Sequence, residues 1–288
     1  MASSLIELIK VLRERTGAGM MDCKAALLAC DSDIEKSCEW LREKGIAKAV
    51  KKASRIAAEG LTHVIADGDT AVILEINSET DFVANSDPFK QLVNDVAEVI
   101  LKEKPACINC AKDLTAELFT NATVKIGEKL DLRRFEIVTK TSTQKFGMYK
   151  HMGGKISVLT LVEGGTDEIA KGISMTIAAN NPTYVSAKDI PADVIENEKK
   201  VQLEASKNDP KLAGKPEQAL IKIIEGKVNK YLGESVLLSQ EYILDPSQKV
   251  EAILKNGNAS VVKFIRYQVG EGMQKKEENF AEEVAKQM

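Results

Sequence analysis

The sequence predicts an α+β protein in which an N-terminal module of three helices precedes a core rich in strands. Three observations predict this class. Residues 3–45 repeat their apolar side chains every three or four positions, as helices do. From Gly60 the apolar period changes to two, which is typical of half-buried strands. A hairpin pattern followed by a helix pattern occurs at residues 61–100 and again at 145–180, which predicts a duplicated α+β core.

The three N-terminal helices are separated by capping and stop signals. Ser3 or Ser4 is placed to cap the first helix, and the glycines of "TGAG" separate it from the second. For the third helix, Ser32 and Glu35 fit a capping box, and Gly45 is a candidate stop. A module this short has little core of its own, so we expect it to serve as a docking unit.

Changes in period also divide the rest of the chain. Two helix patterns, joined by "NDPKLAGKP" and each beginning beside a proline, predict an antiparallel helical hairpin inserted into the second half of the core. The final segment, "EENFAEEVAKQM", predicts a C-terminal helix. The predicted parts are a three-helix domain with a linker helix (1–55), a first core subdomain (56–143), a second core subdomain (144–188 and 234–270), the inserted hairpin (189–233) and a C-terminal helical module (271–288).

Composition narrows the classes of function. The 288 residues carry 40 basic and 43 acidic side chains and a net charge of -3, so the whole chain lacks the positive charge typical of nucleic-acid-binding proteins. No apolar run approaches the roughly 18 residues that span a bilayer, and the charged N-terminus lacks a signal-peptide pattern. We therefore expect a cytoplasmic protein that does not enter a membrane.

The five cysteines include one CxxC pair, Cys107 and Cys110 in "PACINCAK". An odd number of cysteines without a secretion signal favours reduced thiols. A structural zinc site needs two further ligands, and the chain has only two histidines. A thioredoxin-like pair should open a helix after a strand, whereas this pair follows the end of a helix pattern. The sequence therefore predicts neither a metal site nor a redox role for the pair.

Motifs for catalysis are missing from the sequence in every class considered. It contains no GxSxG, HExxH or GxxxxGK[ST] pattern, and two histidines leave little room for acid–base chemistry. These features favour a protein that acts by binding, with no cofactor and no metal of its own. A passive scaffold or holdase, using the helical module and hairpin for protein contacts, is the alternative of a different class. A CxxC redox protein is a third and weaker one.

Four stretches of the chain are distinctive: "LRERTGAGMMDCKAAL", "NSETDFVAN", "HMGGKISVL" and "FIRYQVGEG". Their order and spacing, from residue 5 to the C-terminus, resemble those of the elongation factor Ts family in its bacterial form. The resemblance implies a guanine nucleotide exchange factor that binds elongation factor Tu in its GDP-bound and nucleotide-free forms, without covalent catalysis or direct nucleotide binding. It also implies that the N-terminal module resembles a ubiquitin-associated domain.

The resemblance assigns a role to an aromatic ring that the sequence places in a connection. Phe82 is expected to wedge into the nucleotide-binding domain of elongation factor Tu and dislodge its Mg²⁺, together with Thr80, Asp81 and Val83. The alternative is a ring tucked under its own helix. The residues implied to bind the partner elsewhere are Arg13, Met20, Met21, Lys24, Gly127, His151, Ile243, Phe280 and Met288. Met20 also fits the inner face of the module, and His151 could simply be an exposed hairpin residue.

Overall fold

A computed structural model describes residues 4–52, 54–207 and 217–273. By their internal contacts these residues form two compact units, the first of residues 4–52, 54–139, 150–157 and 267–273 and the second of residues 140–149, 158–207 and 217–266. Within the described residues, none of the helices combines the length and the apolar character that crossing a membrane requires. The predicted α+β class and the N-terminal three-helix module are both confirmed.

The N-terminal module consists of α1 (Leu5–Thr16), α2 (Met20–Ala29) and α3 (Ile34–Lys52). Ser4 caps α1 in a full capping box, because its side chain accepts from the N–H of Glu7 while Glu7 accepts from the N–H of Ser4. A small apolar cluster closes the module, and its fully buried members include Leu12, Ala18, Cys23, Ala26 and Leu27.

The third helix differs from its prediction at both ends. Asp33 caps it in place of Ser32, since Asp33 Oδ1 accepts from the N–H of Lys36 at 3.0 Å. Ser32 instead adopts a left-handed conformation, with a φ of 63°, in the turn before the helix. Gly45 does not end the helix, which continues to Lys52. A Cβ at Gly45 would lie 2.4 Å from Cγ2 of Val124, so the glycine is needed where α3 packs on another helix, α6 below.

The first sheet has the strand order β1-β2-β3. Its strands are β1 (Glu59–Asp67), β2 (Thr70–Ser78) and β3 (Asp131–Thr139), and β2 pairs antiparallel with both neighbours. Between β2 and β3 run α4 (Asp81–Ala84), α5 (Asp87–Glu103) and α6 (Ile108–Ile126). The side chains predicted to face inward from α5 are buried in the core of this unit: Phe89, Leu92, Val93, Val96 and Ile100.

A buried carboxylate fastens the late part of the chain to this sheet. Glu75, on β2, is fully buried and lies 3.0 Å from Nη1 of Arg133 and 2.6 Å from Nε of Arg134. Its Oε1 also accepts from the N–H of Gly270 at 2.9 Å. Because a buried charge is tolerated only when it is paired and hydrogen-bonded, this cluster fixes residue 270 beside the first sheet.

The remaining elements begin with β4 (Gln144–His151), a turn at Met152–Gly154 and β5 (Ile156–Gly164), as the second hairpin pattern predicts. They are followed by α7 (Asp167–Asn180), α8 (Ala192–Lys207) and α9 (Glu217–Glu234). The chain then forms β6 (Glu241–Tyr242), β7 (Asp245–Lys249), α10 (Val250–Asn256) and β8 (Ala259–Gln268). The second three-stranded sheet has the order β4-β5-β8. An apolar cluster joins α8 to α9 and includes Val194, Ile195, Ile224, Val228 and Leu232.

Candidate functional site

The predicted wedge lies on a single helical turn, α4, between the central strand β2 and helix α5. Thr80 caps this turn, and its Oγ1 accepts from the N–H of Val83 at 3.3 Å. Val83 and Ala84 point into the core, whereas Asp81 is exposed and Phe82 is 83% exposed. The alternative in which the ring packs under its own helix is therefore wrong for this structure. One face of α4 anchors the turn, and the other presents the ring.

Glu128, which directly follows the C-cap of α6, supports this turn. Its Oε1 accepts from the hydroxyl of Thr80 at 2.7 Å, and its Oε2 accepts from the N–H groups of Thr80 and Glu79, each at 3.0 Å. Gly127 makes this approach possible because it ends α6 in the left-handed conformation, with a φ of 80°, which favours glycine. The carboxylate holds the residues that immediately precede Asp81.

Glu79 in turn accepts a hydrogen bond from the segment that carries Glu128. Oε1 of Glu79 accepts from the N–H of Lys129 at 2.7 Å, and the Glu79 carboxylate lies 3.1 Å from Nη1 of Arg55. Nζ of Lys129 in turn donates to the carbonyl of Arg55 at 2.8 Å. The connection from β2 to α4 and the connection from α6 to β3 thus each bind the backbone of the other. We call these four residues (Arg55, Glu79, Glu128 and Lys129) the clamp.

The C-terminal side of the turn is also held by hydrogen bonds. Nδ2 of Asn85 donates to the carbonyl of Asp81 at 2.9 Å, and Oγ of Ser86 donates to the carbonyl of Val83 at 2.7 Å. With both ends fixed, little backbone freedom remains to be lost when the exposed ring meets a partner. A preorganised contact group binds more tightly for this reason.

The candidate docking residues of the N-terminal module lie on its surface. Arg13 and Lys24 are exposed, Met20 is 59% exposed and Met21 is 73% exposed. The inner-face alternative for Met20 is wrong. Met20 is the first residue of α2, and the buried positions of this helix begin one turn later at Cys23. Two neighbouring exposed methionines form an adaptable apolar surface, since their thioether chains repack easily.

The other predicted contact residues are distributed over both units. Gly127 and His151 are exposed in the first unit, the latter at the end of β4. In the second unit, Ile243 is 41% exposed in the turn between β6 and β7, where its N–H donates to Oγ1 of Thr176 at 3.2 Å. The predictions for Phe280 and Met288 lie outside the described residues.

Nothing in the described ranges resembles a site for a metal ion, in that no group of three or more His, Cys, Asp or Glu side chains is placed to hold one. The clamp residue Glu128 is the main feature that the sequence did not predict. No local pattern links it to Thr80, which lies far away along the chain. The one indication in the sequence was that Glu128 directly follows Gly127, which the resemblance had named as a partner-binding residue.

Comparison with known families identifies the chain. The family model described as Elongation factor TS matches residues 79–271, which is more than half of the chain. The chain belongs to the elongation factor Ts family. This membership supports a role in translation elongation, and the family implies binding to elongation factor Tu.

The match to the elongation factor Ts family includes the most distinctive part of the site. It begins at Glu79 of the clamp and covers the Phe82 turn, Gly127, His151 and Ile243. The N-terminal module, with Arg13 and the two exposed methionines, precedes the matched segment. The assignment of those module residues therefore depends on the sequence resemblance and on their exposure.

Proposed function

We propose that this protein is a guanine nucleotide exchange factor that binds elongation factor Tu and promotes the release of GDP and its replacement by GTP. The observation that supports this function best is the geometry of Phe82. A large apolar side chain that is 83% exposed gains free energy when a partner removes it from water, about 1.5–3 kcal/mol for full burial. The clamp holds the turn that carries this ring, so the ring stays exposed to a partner, as a wedge requires.

The proposed mechanism is displacement of the partner's Mg²⁺. The ring of Phe82 enters the nucleotide-binding domain of elongation factor Tu, with Asp81 beside it and Thr80 and Val83 holding the turn. Mg²⁺ demands nearly ideal octahedral geometry, so a shift of about 1 Å in the groups that hold it is enough to weaken its binding. Without the cation, the negative charge of the diphosphate is poorly neutralised and the nucleotide leaves.

Exchange of this kind needs no covalent step on the exchange factor. Binding of the factor weakens nucleotide binding, and linkage requires that nucleotide weakens binding of the factor by the same free energy. A coupling of about 4 kcal/mol corresponds to roughly a thousandfold change in affinity. In this scheme the factor binds both the GDP-bound and the nucleotide-free partner, and it does not contact the nucleotide itself. We propose that it acts in the cytoplasm, where translation occurs.

The partner-binding surface that we propose extends beyond the wedge. In the N-terminal module it includes Arg13, Met20, Met21 and Lys24, whose exposure is consistent with docking. In the two units of the core it includes Gly127, His151 and Ile243. Phe280 and Met288 would add contacts from a C-terminal helix at residues 271–288.

The finer architecture is part of the same proposal. We infer that the N-terminal module resembles a ubiquitin-associated domain, that the core is duplicated and that residues 189–233 form a hairpin inserted into its second half. The similar strand orders β1-β2-β3 and β4-β5-β8, each with a hairpin followed by a helix, support the duplication. The packing of α8 on α9 supports the hairpin.

A nucleotide-release assay tests this function against the scaffold alternative. Elongation factor Tu is loaded with a fluorescent GDP, excess unlabelled GDP is added, and the loss of fluorescence is followed with and without this protein. An exchange factor accelerates release when it is present at a small fraction of the partner concentration. A scaffold or holdase leaves the release rate unchanged, and that result would refute the proposal.

A further inference from the structure

Two exposed thiols lie at the start of helix α6. Cys107 is the N-cap of this 19-residue helix, and Cys110 lies in its first turn. The sequence placed the pair after a helix pattern and gave it no role. The structure instead places the pair at the start of a new helix. In this position the pair has the arrangement of a reactive dithiol.

The two side chains of the pair face each other. Sγ of Cys107 accepts a hydrogen bond from the N–H of Cys110 at 3.2 Å. The Cys110 thiol also forms a side-chain hydrogen bond with Cys107, so the two sulfurs lie close together. Disulfides require Cα atoms only about 4.4–6.8 Å apart, a spacing that two residues on one capped helical turn satisfy. A bond between the two sulfurs therefore needs little backbone movement.

The environment makes the two thiols unequal. Hydrogen bonds from the Cys110 thiol, and then from the Cys110 N–H, lower the pKa of Cys107, while the same thiol contact raises the pKa of Cys110. The amide groups at the start of α6 also favour a negative charge at the N-cap. Cys107 is thus suited to attack as a thiolate, and Cys110 is suited to remain protonated until a second step.

The other cysteines of the chain have different surroundings. Cys23 is fully buried, and burial raises the pKa of its thiol. Burial likewise raises the pKa of Cys38, and Cys30 is half-buried. Thiolate character and exposure therefore coincide at Cys107, which distinguishes it from these thiols.

A cleft of about 470 Å³ lies beside Cys107. Cys107 and Ile108 form one wall, and residues 133–137 of strand β3 form another. This volume is within the range of clefts that accept small molecules. A small disulfide can thus approach the Cys107 sulfur along an open path.

We propose that Cys107 and Cys110 form a thiol–disulfide exchange site for low-molecular-weight disulfides. The Cys107 thiolate attacks one sulfur of the small disulfide, forming a mixed disulfide and releasing one thiolate. Cys110 then gives its proton to solvent and attacks Sγ of Cys107, closing the intramolecular disulfide and releasing the second small thiol. The protein loses two thiol protons and two electrons, and the small disulfide takes up both and is reduced to two thiols. This site is independent of the proposed exchange function.

The proposal is tested on the full-length protein with oxidised glutathione as the probe at pH 7. Peptide mass spectrometry should find an internal disulfide between Cys107 and Cys110 that reduced glutathione reverses. Cys110→Ser should stop at a mixed disulfide on Cys107, because the resolving thiol is gone. Cys107→Ser should prevent reaction at this site while keeping the helix capped, since serine is a good N-cap.

Cys30→Ser is the matched control, since it removes one thiol and should leave the internal disulfide unchanged. In the wild-type protein, alkylation of Cys107 at pH 7 should proceed about tenfold faster than that of Cys30. The proposal is overturned if Cys107 and Cys30 react at equal rates. It is also overturned if Cys110→Ser and the wild-type protein give the same mixed disulfide on Cys107 and no internal bond.

Discussion

The carboxylate of Glu128 holds Thr80 through both its backbone and its side chain. One oxygen accepts from the Thr80 hydroxyl at 2.7 Å, and the other accepts from its N–H at 3.0 Å. Thr80 is in turn the N-cap of the turn that exposes Phe82. The position of the ring therefore depends on the side chain of Glu128, which lies in the connection between α6 and β3.

Replacing Glu128 should weaken exchange without unfolding the protein. Glu128→Ala removes the acceptor for the N–H groups of Glu79 and Thr80, so the turn gains freedom that partner binding must remove. Because these groups are partly exposed and water can replace the carboxylate, we expect a loss of about 1.4 kcal/mol, or about tenfold in the rate of GDP release. The fluorescent-GDP assay measures this rate, and circular dichroism checks the fold.

The control for this variant is Glu98→Ala, which removes an exposed carboxylate from α5 in the same unit. It should leave GDP release unchanged. An unchanged rate for Glu128→Ala as well would show that the clamp does not position the wedge.

Two helical glycines should respond to alanine in opposite directions. Gly45 is packed against Val124, and an added Cβ would lie 2.4 Å from its Cγ2, so Gly45→Ala should destabilise the protein by about 1–3 kcal/mol. Gly226 on α9 has open space around its Cα, so Gly226→Ala should stabilise it by about 0.5–1 kcal/mol. Urea unfolding gives both free energies. A stabilising Gly45→Ala would mean that α3 does not pack closely on α6.

Stability should fall in mild acid because of His63. This side chain on β1 is only 8% exposed, and burial, with a smaller contribution from the charge of Lys150, lowers its pKa from 6.5 to about 4. The unfolded chain binds a proton near pH 6.5, whereas the folded chain binds it only near pH 4. Stability present above pH 6.5 is therefore lost as the pH falls toward 4, by on the order of 3 kcal/mol in total.

A comparison of unfolding free energies at pH 7 and pH 5 isolates this contribution. Between these values the wild-type protein should lose about 2 kcal/mol more than His63→Gln, whose amide does not titrate. Carboxylates contribute equally to both proteins and cancel in the difference. The same pH dependence in both proteins would contradict a buried, neutral His63.

Local patterns predicted the elements of this fold well where neighbouring residues determine them. The hairpins, the inward face of α5 and the cap of α1 all depend on residues a few positions apart. Gly45 is different, because its role depends on Val124, which is distant in sequence. A helical glycine indicates a stop from local propensity alone, and only the packing of α3 on α6 shows that the helix continues.

The candidate site was predicted in part for the same reason. The resemblance identified Phe82, and the exposure of its ring agrees with the wedge. Glu128 was missed because its hydrogen bonds link two connections that are distant in sequence, β2 to α4 and α6 to β3. The periodicity of apolar residues does not reveal such a contact. The CxxC pair was recognised by its spacing, but its placement at a helix N-terminus became visible only when α5 and α6 were seen as separate helices.

The central claim is that Phe82 drives nucleotide release, and the most direct test is the Phe82→Ala variant in the fluorescent-GDP assay. Tyr231→Ala, which removes an exposed aromatic ring from α9, is the matched control and should keep the wild-type rate. We expect Phe82→Ala to fold normally and to accelerate GDP release about tenfold less than the wild-type protein does, or less still. A folded Phe82→Ala protein that releases GDP from elongation factor Tu as fast as the wild-type protein would contradict the account.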